Sequence, residues 1–241
     1  METLNNLLVT LTSAKPEVLV SVVSLGAMVF MYMIIISLTE NGVKMSGRKF
    51  GRLPNWWARS SWLVNNVRSN EIGGGIASMK CLLALSVLID FHSRTASVSF
   101  TGMERLTGLS RPMIVKGVAK LEKDGLIKID REMFVNSYEL TVQPNDDRWA
   151  KVPVDTIRKK LNTISNRGMA PFVALKLYLT IISLRYQSNN TVKVTHETLR
   201  SYTGVQPNQI RFGLDVLYCS RLIHLQPKED RESNIYEIIG L

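Results

Sequence analysis

Three lysines stand at intervals of four and three residues in the segment 112–124, at Lys116, Lys120 and Lys123. At 100° per residue this spacing places them on one side of a helix with Met113, while the apolar residues of the segment gather on the other side. A row of ammonium groups on an exposed helix face is chemistry for binding phosphates, as duplex DNA presents them. The alternative is that the three lysines are only a solvated helix face.

The start of this helix offers further groups that could contact DNA. Ser110 is expected to cap the helix, and Pro112 suits its first turn. Arg111 lies at the tip that would enter a DNA groove first, where a guanidinium can donate two hydrogen bonds to a guanine. Farther along the chain, a wing of two strands joined by a polar turn is predicted, with its second strand at 137–140. This wing adds three candidates for contact with the DNA backbone or the minor groove, which are Arg131, Asn136 and Ser137.

These residues belong to a pattern that occurs twice. Segments 98–127 and 194–223 align at an offset of 96 residues, and the lead-ins "GRLPNWWAR" (51–59) and "AKVPVDTIR" (150–158) also resemble each other. The clearest matches are Thr107 with Thr203, Gly108 with Gly204, Ile114 with Ile210, Gly117 with Gly213, and Leu121 with Leu217. One supersecondary unit is therefore predicted twice.

Each copy predicts the same order of elements. An amphipathic helix comes first, then a short strand, a short helix that ends at a glycine, a longer helix, and two strands joined by a polar turn. The short strands are predicted at 98–100 and 192–194. The glycines 73–75 are predicted to form a hinge or loop, because no G-K-[ST] follows that would make them a phosphate-binding loop.

Both units resemble winged helix-turn-helix domains, in which the second helix of the motif enters the DNA major groove. The order "TGL…LEKDGLI" followed by "YEL" is similar to bacterial regulators and to plasmid or phage replication proteins. Two such units, each with its lead-in, resemble replication initiators and replisome organisers. The resemblance covers about residues 50–241 and implies an α+β, mainly helical fold with two tandem winged helix-turn-helix domains that bind double-stranded DNA.

The second copy predicts a different outward face. Its candidates for contact with adenines or phosphates are Gln206, Asn208, Gln209 and Arg211. Phe212 occupies the position that Lys116 has in the first copy, and an exposed phenylalanine is typical of a protein interface. This face could therefore bind DNA or pack against another subunit, for example in a homodimer.

A membrane anchor is predicted before the repeats. Residues 18–39, "VLVSVVSLGAMVFMYMIIISLT", contain no charge. At about 1.5 Å per residue they span roughly 33 Å, enough for a bilayer core of about 30 Å. A signal peptide would need a basic start and a small-residue cleavage site, and a buried soluble helix would be shorter. Basic residues crowd the C-terminal side of this span, which predicts that the body of the protein lies in the cytoplasm.

The chain is thus predicted to be a single-pass protein of the cytoplasmic (inner) membrane that contacts lipid through residues 18–39. The predicted segments are a short N-terminal segment (1–17), the transmembrane helix (18–39), a basic juxtamembrane segment with the first lead-in (40–75), a first winged-helix domain (76–145), a lead-in or linker (146–170) and a second winged-helix domain (171–241).

Composition agrees with a nucleic-acid partner and disfavours catalysis. Thirty Lys and Arg against twenty Asp and Glu give a net charge of +10, which favours an anionic partner. The two cysteines and three histidines are scattered, so neither a metal site nor a disulfide is predicted. No catalytic motif or cofactor motif is recognised, and we predict a protein that is not an enzyme.

The preferred function is replication initiation or organisation for a plasmid, phage or other mobile element, carried out on double-stranded DNA at the membrane. Sequence-specific transcriptional regulation from the membrane is the first alternative. A membrane scaffold whose winged helices bind protein is the second.

Overall fold

The computed structural model of the chain describes residues 48–90, 92–132, 135–144, 148–186, 189–226 and 233–241. The segment Gly47–Leu241 forms one compact unit. The predicted membrane span, residues 18–39, lies outside the described residues.

The first half of this unit begins with a short lead-in and continues with alternating helices and strands. Its elements are β1 (Phe50–Pro54), α1 (Trp56–Arg59), α2 (Trp62–Asn65), a 3-10 turn (Ser69–Glu71), α3 (Ile72–Leu88), β2 (Thr95–Ser97), α4 (Phe100–Thr107), α5 (Arg111–Lys123), β3 (Ile127–Asp130) and β4 (Ser137–Leu140).

The second half repeats the order of the first. Its elements are β5 (Trp149–Pro153), α6 (Val154–Lys160), a 3-10 turn (Leu161–Thr163), α7 (Met169–Leu184), β6 (Thr191–Val194), α8 (His196–Thr203), α9 (Pro207–Cys219), β7 (Ile223–Leu225) and β8 (Asn234–Ile238). The fold is α+β, about half helical with small sheets, as the sequence predicts.

Each half contains one small antiparallel sheet with the same strand order, β2-β4-β3 in the first half and β6-β8-β7 in the second. Thr95 lies opposite Glu139, and the corresponding Thr191 lies opposite Glu237. The prediction of a strand at 98–100 is wrong, because β2 ends at Ser97. Ser99 instead caps α4, where its hydroxyl accepts a 3.1 Å hydrogen bond from the Gly102 amide.

The two lead-ins pair with each other around an approximate twofold axis. Strands β1 and β5 run antiparallel, with Arg52 opposite Lys151. These two residues also occupy the same position in "GRLP" and "AKVP". Equivalent residues face each other across an antiparallel pair when a twofold axis passes between them. The two halves of the chain therefore associate in the manner of two subunits of a dimer.

Glycines allow the long helices to approach closely. A Cβ at Gly117 of α5 would lie 2.7 Å from the carbonyl carbon of Ala77 in α3, and a Cβ at Gly213 of α9 would lie 2.5 Å from Val173 in α7. The prediction of a hinge or loop at 73–75 is wrong, since these glycines lie inside α3. A Cβ at Gly75 would lie 2.5 Å from the Phe172 ring, so this site needs a helical residue without a side chain.

Within the described residues, one segment is long and apolar enough to cross a membrane, namely Ser69–Leu88. In the most apolar 18-residue stretch of this segment, 78% is buried inside the fold, where α3 packs against α5 and α7. Burial of this kind is typical of the central helix of a folded core.

Each lead-in also packs against the opposite half. Asn162, in the second lead-in, approaches Gly108 at the end of α4, and Val64, in the first lead-in, approaches Gly204 at the end of α8. The ammonium of Lys80 in α3 donates to the carbonyl of Ile164 at 2.6 Å. This exchange of contacts explains how two short repeats form a single compact unit.

Candidate nucleic-acid interface

The longer helix of the first repeat begins and ends within one residue of its predicted bounds. Ser110 stands at its N-cap position, as predicted. The Ser110 hydroxyl makes no capping hydrogen bond among the described residues, so the prediction of a side-chain cap is wrong. Pro112 lies in the first turn as predicted. The Ser110 backbone is already extended there, with ψ at 155°, so the helix begins without the side-chain bond.

The helices α5 and α9 share an unusual N-terminal chemistry. Ser99 and Thr195 cap α4 and α8 with their hydroxyls, whereas Ser110 and Gln206, at the N-caps of α5 and α9, form no such bond in the described structure. The first turns of α5 and α9 also contain no acidic residue. Pro112 and Pro207 carry no amide hydrogen, and the Gln209 amide donates to the Gln206 carbonyl at 3.0 Å. What these first turns share is therefore the absence of a carboxylate that would repel an anion.

Arg111 is exposed at this end of α5 and is held by an aromatic ring. Its guanidinium carbon lies 4.9 Å from the centre of the Phe100 ring, at the start of α4. A cation–π contact of this kind restricts the side chain without neutralising its charge. The guanidinium is therefore positioned near the N-terminus of α5, at the predicted tip.

The three lysines of the predicted row lie in different environments. Lys116 and Lys123 are exposed, while the Lys120 side chain is only 20% exposed and pairs with Asp124 at 3.3 Å. The Cε atom of Lys116 would lie 3.2 Å from a Cβ at Gly74, so its stem lies along the N-terminal end of α3. Met113 is half-buried, with its methyl group towards the adjacent Gly73.

Asp124 explains the position of Lys120. Its carboxylate accepts hydrogen bonds from the Trp62 indole at 2.8 Å and from the Asn66 amide at 3.1 Å. Both donors come from the first lead-in, and Trp62 is itself buried. Lys120 therefore balances the charge of a carboxylate that joins the lead-in to the end of α5, and it contributes less to the outward charge than its neighbours do.

The candidates in the predicted wing are engaged within the fold. Arg131 forms two hydrogen bonds with Glu122, at 2.9 and 2.6 Å, and these hold the pKa of Glu122 below its ordinary value. Asn136 donates to the Tyr138 hydroxyl at 3.3 Å. Ser137 begins β4 at the predicted start of that strand, and it pairs with Ser97 and with β3.

The second repeat presents a mixed face at the corresponding position. Gln206, Asn208 and Arg211 are exposed, and Gln209 is half-buried. The Phe212 side chain is 60% exposed at the position equivalent to Lys116. The two helices thus have the same packing against the core but different outward chemistry, cationic in α5 and amide-rich with an apolar centre in α9.

One group of residues, of which Arg52 is exposed and the other three are half-buried, is not predicted by the sequence patterns. On the outer face of the paired lead-ins, the Lys151 ammonium lies 4.6 Å from the centre of the Phe50 ring, and Phe50 stacks on Trp149 with the ring centres 5.7 Å apart. The guanidinium of Arg52 lies 4.5 Å from the centre of the Trp149 ring. We call these four residues the stacked ladder. Alternation of cationic and aromatic residues in "FGR" and "WAK" is the signal that could have indicated it.

Comparison with known proteins adds no assignment: no family model matches the chain, and no curated protein is detectably similar to it. Within the described ranges, His, Cys, Asp and Glu side chains form no group of three or more that could hold a metal ion. The proposed function therefore rests on the surfaces of the protein itself.

Proposed function

We propose that this chain is a double-stranded DNA-binding protein made of two tandem winged helix-turn-helix units, and that α5 is the principal DNA-reading helix. The observation that carries the proposal is the exposed N-terminal half of α5. There Arg111 and Lys116 are exposed, and the first turn has no carboxylate.

The order of elements supports the winged-helix interpretation. In each half a core helix is followed by a strand, two helices joined by a tight turn, and two antiparallel strands. The turn contains Gly108 in the first half, at φ 69°, and Gly204 in the second, at φ 66°. This left-handed conformation suits glycine and sets the angle between the two helices of each motif.

In this proposal the two units contribute unequally. Helix α5 supplies the charge that attracts phosphates, with Arg111 placed to reach a base edge. Helix α9 carries side-chain amides at its tip, and such amides can hydrogen-bond to adenine edges. Its first turns contain only one exposed arginine. We expect α5 to dominate affinity and α9 to add sequence preference.

The membrane and replication components of the proposal rest on the sequence. The uncharged segment 18–39 would anchor the chain in the cytoplasmic membrane, with both DNA-binding units in the cytoplasm. Initiation or organisation of replication for a mobile element is the preferred role, and transcriptional regulation from the membrane is the alternative. Sequencing of DNA retained by the protein separates the two, because iterated sites in an origin indicate the first and promoter sites indicate the second.

A second candidate function is favoured by Phe212. A phenylalanine that is 60% exposed at the centre of the outward face of α9 is typical of an anchor for a protein partner. A scaffold of this kind would show weak DNA binding with little dependence on salt. Its partner binding would depend on Phe212 and not on Lys116.

The decisive experiment measures duplex DNA binding by the full chain in detergent over a salt series. We expect affinity to fall steeply with salt, and Lys116→Ala to reduce the slope by about 0.9, because the variant neutralises one phosphate fewer. Lys193→Ala is the matched control, because Lys193 is also exposed but lies in β6 of the second half. Weak binding that is independent of salt, or equal effects of both substitutions, would contradict the proposal.

A further inference from the structure

A groove beside the stacked ladder combines cationic and apolar surfaces. It encloses about 500 Å³ between the paired lead-ins, the C-terminal end of α3 and the end of β4. Its cationic lining residues are Arg48, Lys49, Arg52, Arg94 and Arg148. Among the described lining residues the single carboxylate is that of Asp90, which contacts the Arg48 guanidinium at 3.5 Å. Lys49 and Arg94 are exposed at the rim of the groove and give it positive charge.

The apolar part of the groove differs from the surface around it. Ile89, Leu140 and Val142 contribute to its lining, and Val142 is 46% exposed. An apolar wall rimmed by arginines suits a ligand that has both an anionic group and hydrocarbon. A free phosphate would use only the rim and would leave this apolar wall in water.

The stacked ladder argues against a nucleotide or single-stranded nucleic acid as the ligand. Such ligands stack their bases on exposed aromatic faces. Here Phe50 and Trp149 stack on each other, and Lys151 and Arg52 each lie over one of the two rings. A base would have to displace these contacts in order to stack, whereas aromatic residues contribute to a membrane interface without stacking on the ligand.

The groove is close along the chain to the predicted membrane span, which indicates that its anionic ligand is a lipid. Arg48, the first described residue, lines the groove, and eight residues separate it from the uncharged segment 18–39. Eight residues reach at most about 26–29 Å when fully extended. If residues 18–39 cross the membrane, the groove must lie within about that distance of the lipid headgroups.

We propose that this groove binds anionic phospholipid headgroups of the membrane that anchors the chain. Lys49 and Arg94 at the rim contact lipid phosphates, and Val142 faces the upper part of the acyl chains. The inference deepens the proposed function, since it rests on the proposed membrane anchor. It assigns the outer face of β1 and β5 to the lipid surface.

Lipid binding at the groove would orient the DNA-reading helix. The groove lies at the C-terminal end of α3, where Gly51 of β1 packs directly on the Ser86 carbonyl. The Lys116 stem lies against Gly74, near the other end of the same helix. The twelve residues from 74 to 86 span about 18 Å of helix. Docked lipid therefore leaves the N-terminal end of α5 on the side away from the bilayer.

The test reconstitutes the full chain into vesicles of phosphatidylcholine alone and of phosphatidylcholine with phosphatidylglycerol. An environment-sensitive fluorophore is attached at Val142→Cys in a Cys219→Ser background, because Cys81 is buried. We expect a blue shift and several-fold weaker quenching by aqueous acrylamide in the anionic vesicles only. Lys49→Gln/Arg94→Gln, which removes two rim cations without changing the stacked ladder, should abolish that protection.

Lys193→Gln/Arg200→Gln is the matched control, since it removes two exposed cations from the second half, away from the groove. Protection that is equal in both vesicles, or that the control abolishes as well, overturns the lipid site. The anchor is tested separately by whether the chain stays with phosphatidylcholine vesicles through an alkaline wash. Loss at that step refutes the anchor, and the groove proposal then stands only if anionic vesicles still protect the label.

Discussion

Lys176 makes in the second half of the chain the contact that Lys80 makes in the first. The Lys80 ammonium donates to the Thr107 carbonyl at 2.9 Å, and the Lys176 ammonium donates to the Thr203 carbonyl at 2.8 Å. Each lysine is buried in the core helix of its half and binds the last residue of the short helix that follows. A cation at a helix C-terminus is favourable there, so both lysines fix the start of the turn that leads to α5 or α9.

Burial gives these lysines a distinctive pH dependence. Desolvation lowers the pKa of Lys176 from 10.5 to about 8, so between those values the folded chain has released a proton that the unfolded chain keeps. The free energy of unfolding should therefore rise with pH through this window, by up to about 1.4 kcal/mol per pH unit from this group.

The measurement is urea unfolding of the wild type and of Lys176→Met from pH 7.5 to pH 10.5. The difference between the two proteins isolates Lys176 from Lys80, whose pKa burial also lowers to about 8, and from the tyrosines and Cys81, which titrate in this range in the unfolded chain. Lys193→Met, at an exposed site, should differ from the wild type by an amount independent of pH. A flat difference for Lys176→Met as well would show that its ammonium keeps an ordinary pKa.

Glycine substitutions should have opposite effects at two nearby positions. Gly117→Ala places a Cβ 2.7 Å from the Ala77 backbone, so we expect a decrease of about 1–3 kcal/mol in the free energy of unfolding. Gly73→Ala meets only the flexible end of Met113, at 3.6 Å, and should be neutral or stabilising by up to about 1 kcal/mol. Thermal unfolding of both variants measures this. A Gly117→Ala variant as stable as the wild type would mean that α5 packs on α3 less closely than the structure indicates.

Glu122 should restrain DNA binding through Arg131. The pair holds the Arg131 guanidinium against α5, so Glu122→Gln releases a cation beside the proposed DNA-reading face. We expect tighter DNA binding by Glu122→Gln and a steeper dependence on salt. Both effects should disappear in Glu122→Gln/Arg131→Ala, measured by competition with unlabelled duplex. If the double variant keeps the gain, repulsion by Glu122 itself, and not the release of Arg131, is responsible.

The two cysteines should differ sharply in reactivity. Cys81 is fully buried in α3, and burial raises its thiol pKa to about 12, whereas Cys219 is exposed at the end of α9. A maleimide at pH 8 should add once to the native chain and twice in urea, as counted by mass spectrometry. Cys219→Ser should add none while folded. Rapid modification of Cys81 in the native state would show that α3 opens locally.

The sequence by itself determined the order of elements, because helical period, glycine turns and strand alternation are local properties. The pattern of residues 112–124 predicts the start and end of α5 to within one residue. The offset of 96 residues between the repeats matches Gly117 with Gly213, and a Cβ at either position would collide with a core helix. The lysines of α5 could be placed on a common side from their spacing alone.

Tertiary structure decided what each of those residues contacts. Pairing of β1 with β5 joins segments about 100 residues apart, and no local pattern specifies it. The same holds for Gly75, whose lack of a side chain leaves room for the Phe172 ring, and for Lys120, which forms an ion pair with Asp124. The Phe50 and Trp149 rings stack for the same reason, since only the pairing of the lead-ins brings them together. Contacts between distant segments depend on how whole helices and strands pack, and one-dimensional spacing does not contain that information.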